Sequence, residues 1–209
     1  MTDGRAAGIT GASGFVGSAL CRAFRADGVP VVAFTRDAAR VSAAGVEARP
    51  YAISDVPELA GIGVLVHCAI ATEGEHDDVV RRNVDGALAL YRAASRAGIR
   101  FVFVSSLSAE GEASSAYAEQ KRRIESLLGG DALIVRPGLI AGAGGLFQRL
   151  RATASRPVVP LIDGGRQTVQ IVAIDDVCSA VRVALDARLA GAHNVVAPPP
   201  LTLRDVVVA

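Results

Sequence analysis

Short apolar runs alternate with amphipathic stretches along most of the chain. "AAGIT" (residues 6–10) reads as a strand, and "SALCRAFRADG" (18–28) has apolar positions at helical spacing up to Gly28, a helix C-cap. "VPVVAF" (29–34) and the irregular "GVEARPYAI" (45–53) are the second and third strands, and "VLVHCAI" (64–70) is a fourth, apolar on both faces. A long helical pattern, "DVVRRNVDGALALYRAASRAG" (78–98), precedes a fifth strand, "RFVFVSS" (100–106). "YAEQKRRIESLLGG" (117–130) is helical and "ALIVRPG" (132–138) is a sixth strand. Beyond Gly138 glycine and proline increase, and the chain reads as loops, short strands and one helix, "DDVCSAVRVALDA" (175–187). This alternation predicts an α/β protein, a parallel sheet with helices on both faces. No internal repeat or low-complexity linker interrupts it, so residues 1–209 are expected to form one domain, with 138–209 contributing a reduced substrate lobe.

Composition narrows the class. Half the chain (51%) is hydrophobic, enough for a buried core in 209 residues. A net charge of +1 gives no reason to expect nucleic acid or a membrane surface as partner. No apolar run approaches the ~18 residues of a membrane helix, and the start, "MTDGRAA", does not resemble a signal peptide. Cys21, Cys68 and Cys178 are far apart and lack metal-type spacing, so reduced, mostly buried thiols in a cytoplasmic protein are expected. His67 lies in an apolar strand and reads as a core histidine. His76, in "EGEHDD", reads as part of a solvated loop.

Two features bring chemistry. Gly11, Gly14 and Gly17 stand between the first strand and the first helix as GxxGxxG. Gly11 allows a tight turn, Gly14 lets backbone approach a pyrophosphate, and Gly17 lets helix and strand pack closely, with helix N-terminal amides meeting the phosphate charge. The second feature is Lys121, the one lysine in a chain whose other basic residues are arginine, placed four residues after Tyr117. On a helix that spacing puts both on one face. An ammonium beside a phenol favours the phenolate and makes Tyr117 a general acid/base at neutral pH. Arginine, a larger and permanently charged fork, does not substitute for it.

"TGASGFVGSAL", "VLVHCAIA", "NVDGALALYRAASRAG", "FVFVSSLSAEG", "YAEQK", "VRPGLIAGAGG", "GRQTVQIVAIDDV" and "HNVVAPPPLTLRD" occur in this order. Together they resemble the extended short-chain dehydrogenase/reductase superfamily, the branch with sugar-nucleotide epimerases and dehydratases. The resemblance implies a Rossmann-type doubly wound sheet with a small, shortened C-terminal substrate lobe. It also implies a catalytic set of Ser106, Tyr117 and Lys121, with Lys121 holding the nicotinamide ribose. Ser105, Ser106 and Ser108 all end the fifth strand, and the family pattern selects Ser106. Cofactor contacts are implied at Gly11, Ser13, Gly14, Phe15, Val16, Gly17, Cys68, Ala69, Ile70, Tyr117, Lys121, Pro137 and Gly138. Asn83 matches a family asparagine that positions the lysine; it reads equally as a helix-internal or capping residue.

In dinucleotide folds an acid at the end of the second strand holds the ribose hydroxyls. Here Thr35 stands there, followed by Arg36, with Arg40 one turn on. Losing the acid and gaining guanidinium groups favours NADP over NAD; the alternative leaves Arg36 solvated and gives the ribose to Asp37. The adenine-site aspartate of the family aligns with Ala52, with Asp55 three residues later.

These observations predict an NAD(P)-dependent oxidoreductase or an epimerase/dehydratase-like enzyme that moves hydride at a carbonyl or carbinol carbon of a small molecule, sugar nucleotides included. Only ten residues separate Ser106 from Tyr117, and the sequence stops at "PLTLRDVVVA", as a helix begins. Both shorten the expected substrate lobe. They leave open a smaller substrate, a pocket completed by a partner, a non-catalytic NADP(H)-sensing regulatory protein, or a structural subunit of a larger complex. The resemblance also implies a homodimer through the helices at 83–98 and 117–128.

Overall fold

The computed structural model describes residues 4–41, 45–111, 115–154 and 161–208. Its first half alternates strand and helix: β1 (Ala6–Thr10), α1 (Phe15–Ala26), β2 (Val31–Thr35), β3 (Glu47–Pro50), β4 (Ile62–His67), α2 (His76–Arg96), β5 (Arg100–Val104), α3 (Ala116–Leu127) and β6 (Leu133–Pro137). There follow β7 (Leu139–Ala141), α4 (Gly145–Ala154), β8 (Thr168–Val169), β9 (Ile171–Ala173), α5 (Ile174–Asp186), β10 (Gly191–Val195), β11 (Leu201–Thr202) and α6 (Leu203–Val208). The central sheet has seven strands in the order β10-β6-β5-β4-β1-β2-β3, all parallel. Strand order reverses between β1 and β4, which opens a crevice at the strands' carboxyl ends.

Side-chain alternation along each strand sorts the core into two layers. Ala7, Ile9, Val64, Val66, Val102, Val104, Leu133 and Val135 face α1 and α5, where Leu20, Phe24, Val181 and Leu185 cover them. Phe34, Leu65, Phe101, Phe103 and Ile134 face α2 and α3 and meet Val84, Leu90 and Ile124. The predicted elements appear close to their expected bounds. The C-terminal stretch differs, because it divides in two. α5 and β10 complete the central layers, β10 pairing with β6 from Gly191 to Val195. The remaining short strands pair separately, β7 with β9 and β8 with β11, and with α4 and α6 they form the small lobe. α4 was not expected from "GLFQRLRATA", whose pattern is weakly amphipathic and which buries no residue.

Candidate active site

The turn from β1 into α1 is built by close approach. Gly11 has φ +66°, and a Cβ there would lie 2.8 Å from Ala69 N; a Cβ on Gly17 would lie 2.3 Å from Gly11 O. Any larger residue at 17 pushes α1 off the turn. Gly14 N–H donates to Gly11 O at 2.9 Å. No side chain caps α1 and no acid sits in its first turn, which leaves its first amides available to an anion. The neighbouring loop after β4 is tied to β1 through Thr10, whose Oγ1 accepts from Cys68 N and Ala69 N, each at 3.2 Å. With both lone pairs used, the Thr10 hydroxyl donates to His67 Nδ1 at 2.7 Å. His67 is buried against Phe101 and Phe103, and burial pushes its pKa down to about 3, so it is a neutral core residue, as the sequence suggested.

Two cavities meet at this turn and share Gly11, Gly14, Cys68 and Ile70. The first, about 290 Å³, adds Ser13, Thr35, Arg36, Ala69 and the segment Tyr51–Ser54, with Arg82 from α2. The second, about 910 Å³, adds Phe15, Val16, Gly17, Ser106, Ser108, Tyr117, Lys121, Pro137 and Gly138, and reaches Leu146, Arg149 and Gln170 of the small lobe. Every cofactor residue expected from the sequence lines one of them except Arg40 and Asn83. Arg40 ends an exposed 3-10 turn, Ala38–Arg40, which Asp37 caps by accepting from Ala39 N. Asn83 is buried in α2; its Oδ1 accepts from Ala71 N at 2.7 Å and its Nδ2 donates to Ala71 O and to Gln120 Oε1. It therefore joins the loop after β4 to α3, next to Lys121. Tyr51, Arg82, Leu146 and Arg149 lay outside the motifs that carry the resemblance; the topology brings them to the cavities.

On the second wall, Ser115 caps α3 by accepting from Ala118 N, so α3 begins at the cavity with Tyr117 in its first turn. Lys121 is buried. Its Nζ donates to Val104 O at 2.8 Å and lies 4.5 Å from the Phe103 ring centroid and 5.8 Å from that of Tyr117. Burial lowers its pKa to about 8. Desolvation raises the Tyr117 pKa, although 46% of the residue is exposed, and the Lys121 ammonium is engaged by the Val104 carbonyl. Ser106 and Ser108 share a hydroxyl hydrogen bond at 2.9 Å, while the Ser105 hydroxyl donates to Glu125. Of the three serines, Ser106 and Ser108 keep their hydroxyls together, and Ser105 is committed to Glu125. A Cβ on Gly138 would meet Gln170 O at 2.3 Å, so the Pro137–Gly138 turn is held flat against the lobe.

These residues fit a dinucleotide. At Gly11 and Gly17 the turn has no room for a side chain, and the first amides of α1 have no side-chain cap. Among the described residues, the buried Tyr51 hydroxyl in the wall of the first cavity has no protein partner. The first cavity would take the adenosine half and the second the nicotinamide, beside Tyr117 and Lys121.

Fold and site define an NAD(P)-dependent enzyme class of the short-chain dehydrogenase/reductase type. The chain belongs to the NAD dependent epimerase/dehydratase family, whose model matches residues 7–197. It is similar to a ceramide reductase of Caulobacter vibrioides (strain NA1000 / CB15N), 37% identical over 180 residues, which are 77% of this chain and 55% of that protein. The chain thus spans little more than half the length of that curated relative. Among solved structures, the NAD-dependent NDP-hexosamine 5,6-dehydratase TunA superposes with a TM-score of 0.80 at 23% identity, over 98% of this chain and 79% of that one. The ADP-L-glycero-D-manno-heptose-6-epimerase of Helicobacter pylori superposes with a TM-score of 0.82 at 20% identity, over 99% and 81%. Among the described residues, no helix is long and apolar enough to cross a membrane.

Proposed function

We propose that this chain is a carbonyl reductase of the short-chain type, preferring NADP, that acts on a largely apolar substrate. The observation that carries the reading is the convergence of Tyr117, Lys121 and Ser106 on the cavity that begins at the glycine turn. When bound, the nicotinamide supplies hydride to the substrate carbon. Ser106 orients the substrate oxygen, Tyr117 donates its phenolic proton to that oxygen, and Lys121 holds the ribose and stabilises the phenolate left behind.

Leu107, Leu139, Ile140, Leu146 and Val169 line the substrate end, which suits an aliphatic chain, and the relative named a ceramide reductase agrees with it. Arg149 at the outer wall favours a second reading, in which its guanidinium binds a sugar-nucleotide diphosphate. For the cofactor, the described residues that line the first cavity include two cations, Arg36 and Arg82, and no carboxylate. Thr35 spends its hydroxyl on Asp37 O, and the Asp37 carboxylate caps its own turn. That balance favours a 2′-phosphate. The same reading keeps a homodimer through α2 and α3, which the solution mass checks.

The test follows loss of NADPH absorbance with long-chain ketones and, in parallel, with UDP-sugars. Turnover of the ketones alone, abolished in Tyr117→Phe, supports the apolar reading. Turnover of the sugar nucleotides alone supports the second. Turnover of neither, with NADPH bound, overturns both as stated.

A further inference from the structure

Behind the catalytic wall stands a buried ion pair that the proposed chemistry does not use. Tyr117, Lys121 and Glu125 recur at four-residue spacing on α3 and share one face. The Glu125 side chain is only 6% exposed. Its carboxylate is gripped from the two strand ends that also carry site residues. Arg136 of β6 donates Nε to Oε1 and Oε2, each at 3.1 Å, and Nη2 to Oε2 at 2.5 Å. Ser105, beside Ser106 at the end of β5, donates its hydroxyl to Oε1. Arg136 is followed by Pro137 and Gly138 in the cavity wall, and its Nη1 lies 3.8 Å from Glu110 Oε1. Glu110 Oε2 in turn accepts from Asn194 Nδ2 of β10 at 2.8 Å.

Few other charges reach Lys121. On its own helix Tyr117 is a neutral phenol. From the end of β4, His67 is neutral, and Cys68 is a neutral thiol, its pKa pushed up to about 12 by burial. β5 offers the Val104 carbonyl and the Phe103 ring, and α2 offers Asn83, through Gln120. Arg136 faces Lys121 from beyond Glu125. Two groups oppose the burial of the ammonium, first Cys68 as a thiolate and then Glu125; with Cys68 held as a neutral thiol, Glu125 is the anion left to do so at neutral pH.

Resting on the enzyme reading above, we propose that Glu125 is a positioning residue for the active site. With Arg136 and Ser105 it pins α3 to the ends of β5 and β6, and its charge keeps Lys121 protonated beside Tyr117. The spacing YxxxKxxxE in "YAEQKRRIE" is the sequence trace of this device.

The chain's sole lysine makes the test direct. Protein carrying lysine labelled with carbon-13 at Cε gives one side-chain resonance, whose pH titration reports Lys121 alone. The wild-type midpoint is expected near about 8. Glu125→Gln, nearly isosteric, is expected to lower it by about one unit. Arg136→Met, which leaves the carboxylate uncompensated, is expected to raise it and serves if the first variant does not fold. General loosening of the packing moves both midpoints up, toward the ordinary lysine value. An unchanged or higher midpoint in Glu125→Gln, or an unchanged or lower one in Arg136→Met, overturns the proposal. An NADPH titration of the same wild-type sample separates the two readings, since absent binding sinks the enzyme reading and leaves the lysine titration standing.

Discussion

The two cavities are built from different parts of the chain. The first gathers a strand end, the glycine turn and the segment after β3, with two arginines as its charged features. The second draws on β5, α3, β6 and a lobe whose strands are two or three residues long. Each holds a group whose proton affinity burial moves: the Tyr51 hydroxyl in the first is pushed up, and the Lys121 ammonium in the second is lowered to about 8. The second also sets a phenol, Tyr117, one helical turn from that ammonium, the arrangement that proton transfer at one atom needs.

Changes in the second region should strike the chemistry and spare binding. Tyr117→Phe is expected to lower turnover by ~10²–10⁴-fold while leaving the NADPH dissociation constant within about twofold; steady-state kinetics and fluorescence titration check the pair. At the glycine turn, where the two regions meet, the expected order reverses. Gly17→Val forces Cβ against Gly11 O, and should weaken NADPH by more than about tenfold and destabilise the fold by ~1–3 kcal/mol, read by titration and thermal melts. Arg36→Ala and Arg82→Ala are milder. Each should narrow the margin of NADPH over NADH by about tenfold, and equal losses for both cofactors would show that neither arginine meets the 2′-phosphate.

The smallest effect per step is in stability against pH. His67 has a folded pKa near about 3 against an ordinary 6.5. Between those values the unfolded chain binds more protons, so the contribution is whole above pH 6.5 and is lost as pH falls toward 3. The slope is at most ~1.4 kcal/mol per pH unit, and denaturant melts of His67→Gln should show a flatter acid limb than wild type.

Five strands of the central sheet, β1, β2, β4, β5 and β6, could be read in advance because each is a mostly apolar run, whereas β3, EARP, read only as an irregular strand and β10, GAHNV, was not read as part of the sheet. The glycine turn and the Tyr117–Lys121 pair were equally readable, since both are local spacings. Arg82 and Tyr51 were not, because they reach the first cavity from α2 and from the end of β3 only once the sheet is assembled. The partners of Lys121 were hidden for a related reason. Spacing places the ammonium one turn away, but the Val104 carbonyl that captures it lies on a different strand. Glu125 shows the same limit, as its partners Ser105 and Arg136 are 20 and 11 residues distant.

The most direct test of the whole account is a fluorescence titration of NADPH and of NADH into the purified chain. Saturable binding at micromolar concentration, tighter for NADPH, is the predicted result. No binding of either cofactor in that range would contradict the assignment of the glycine turn and its two cavities to a dinucleotide.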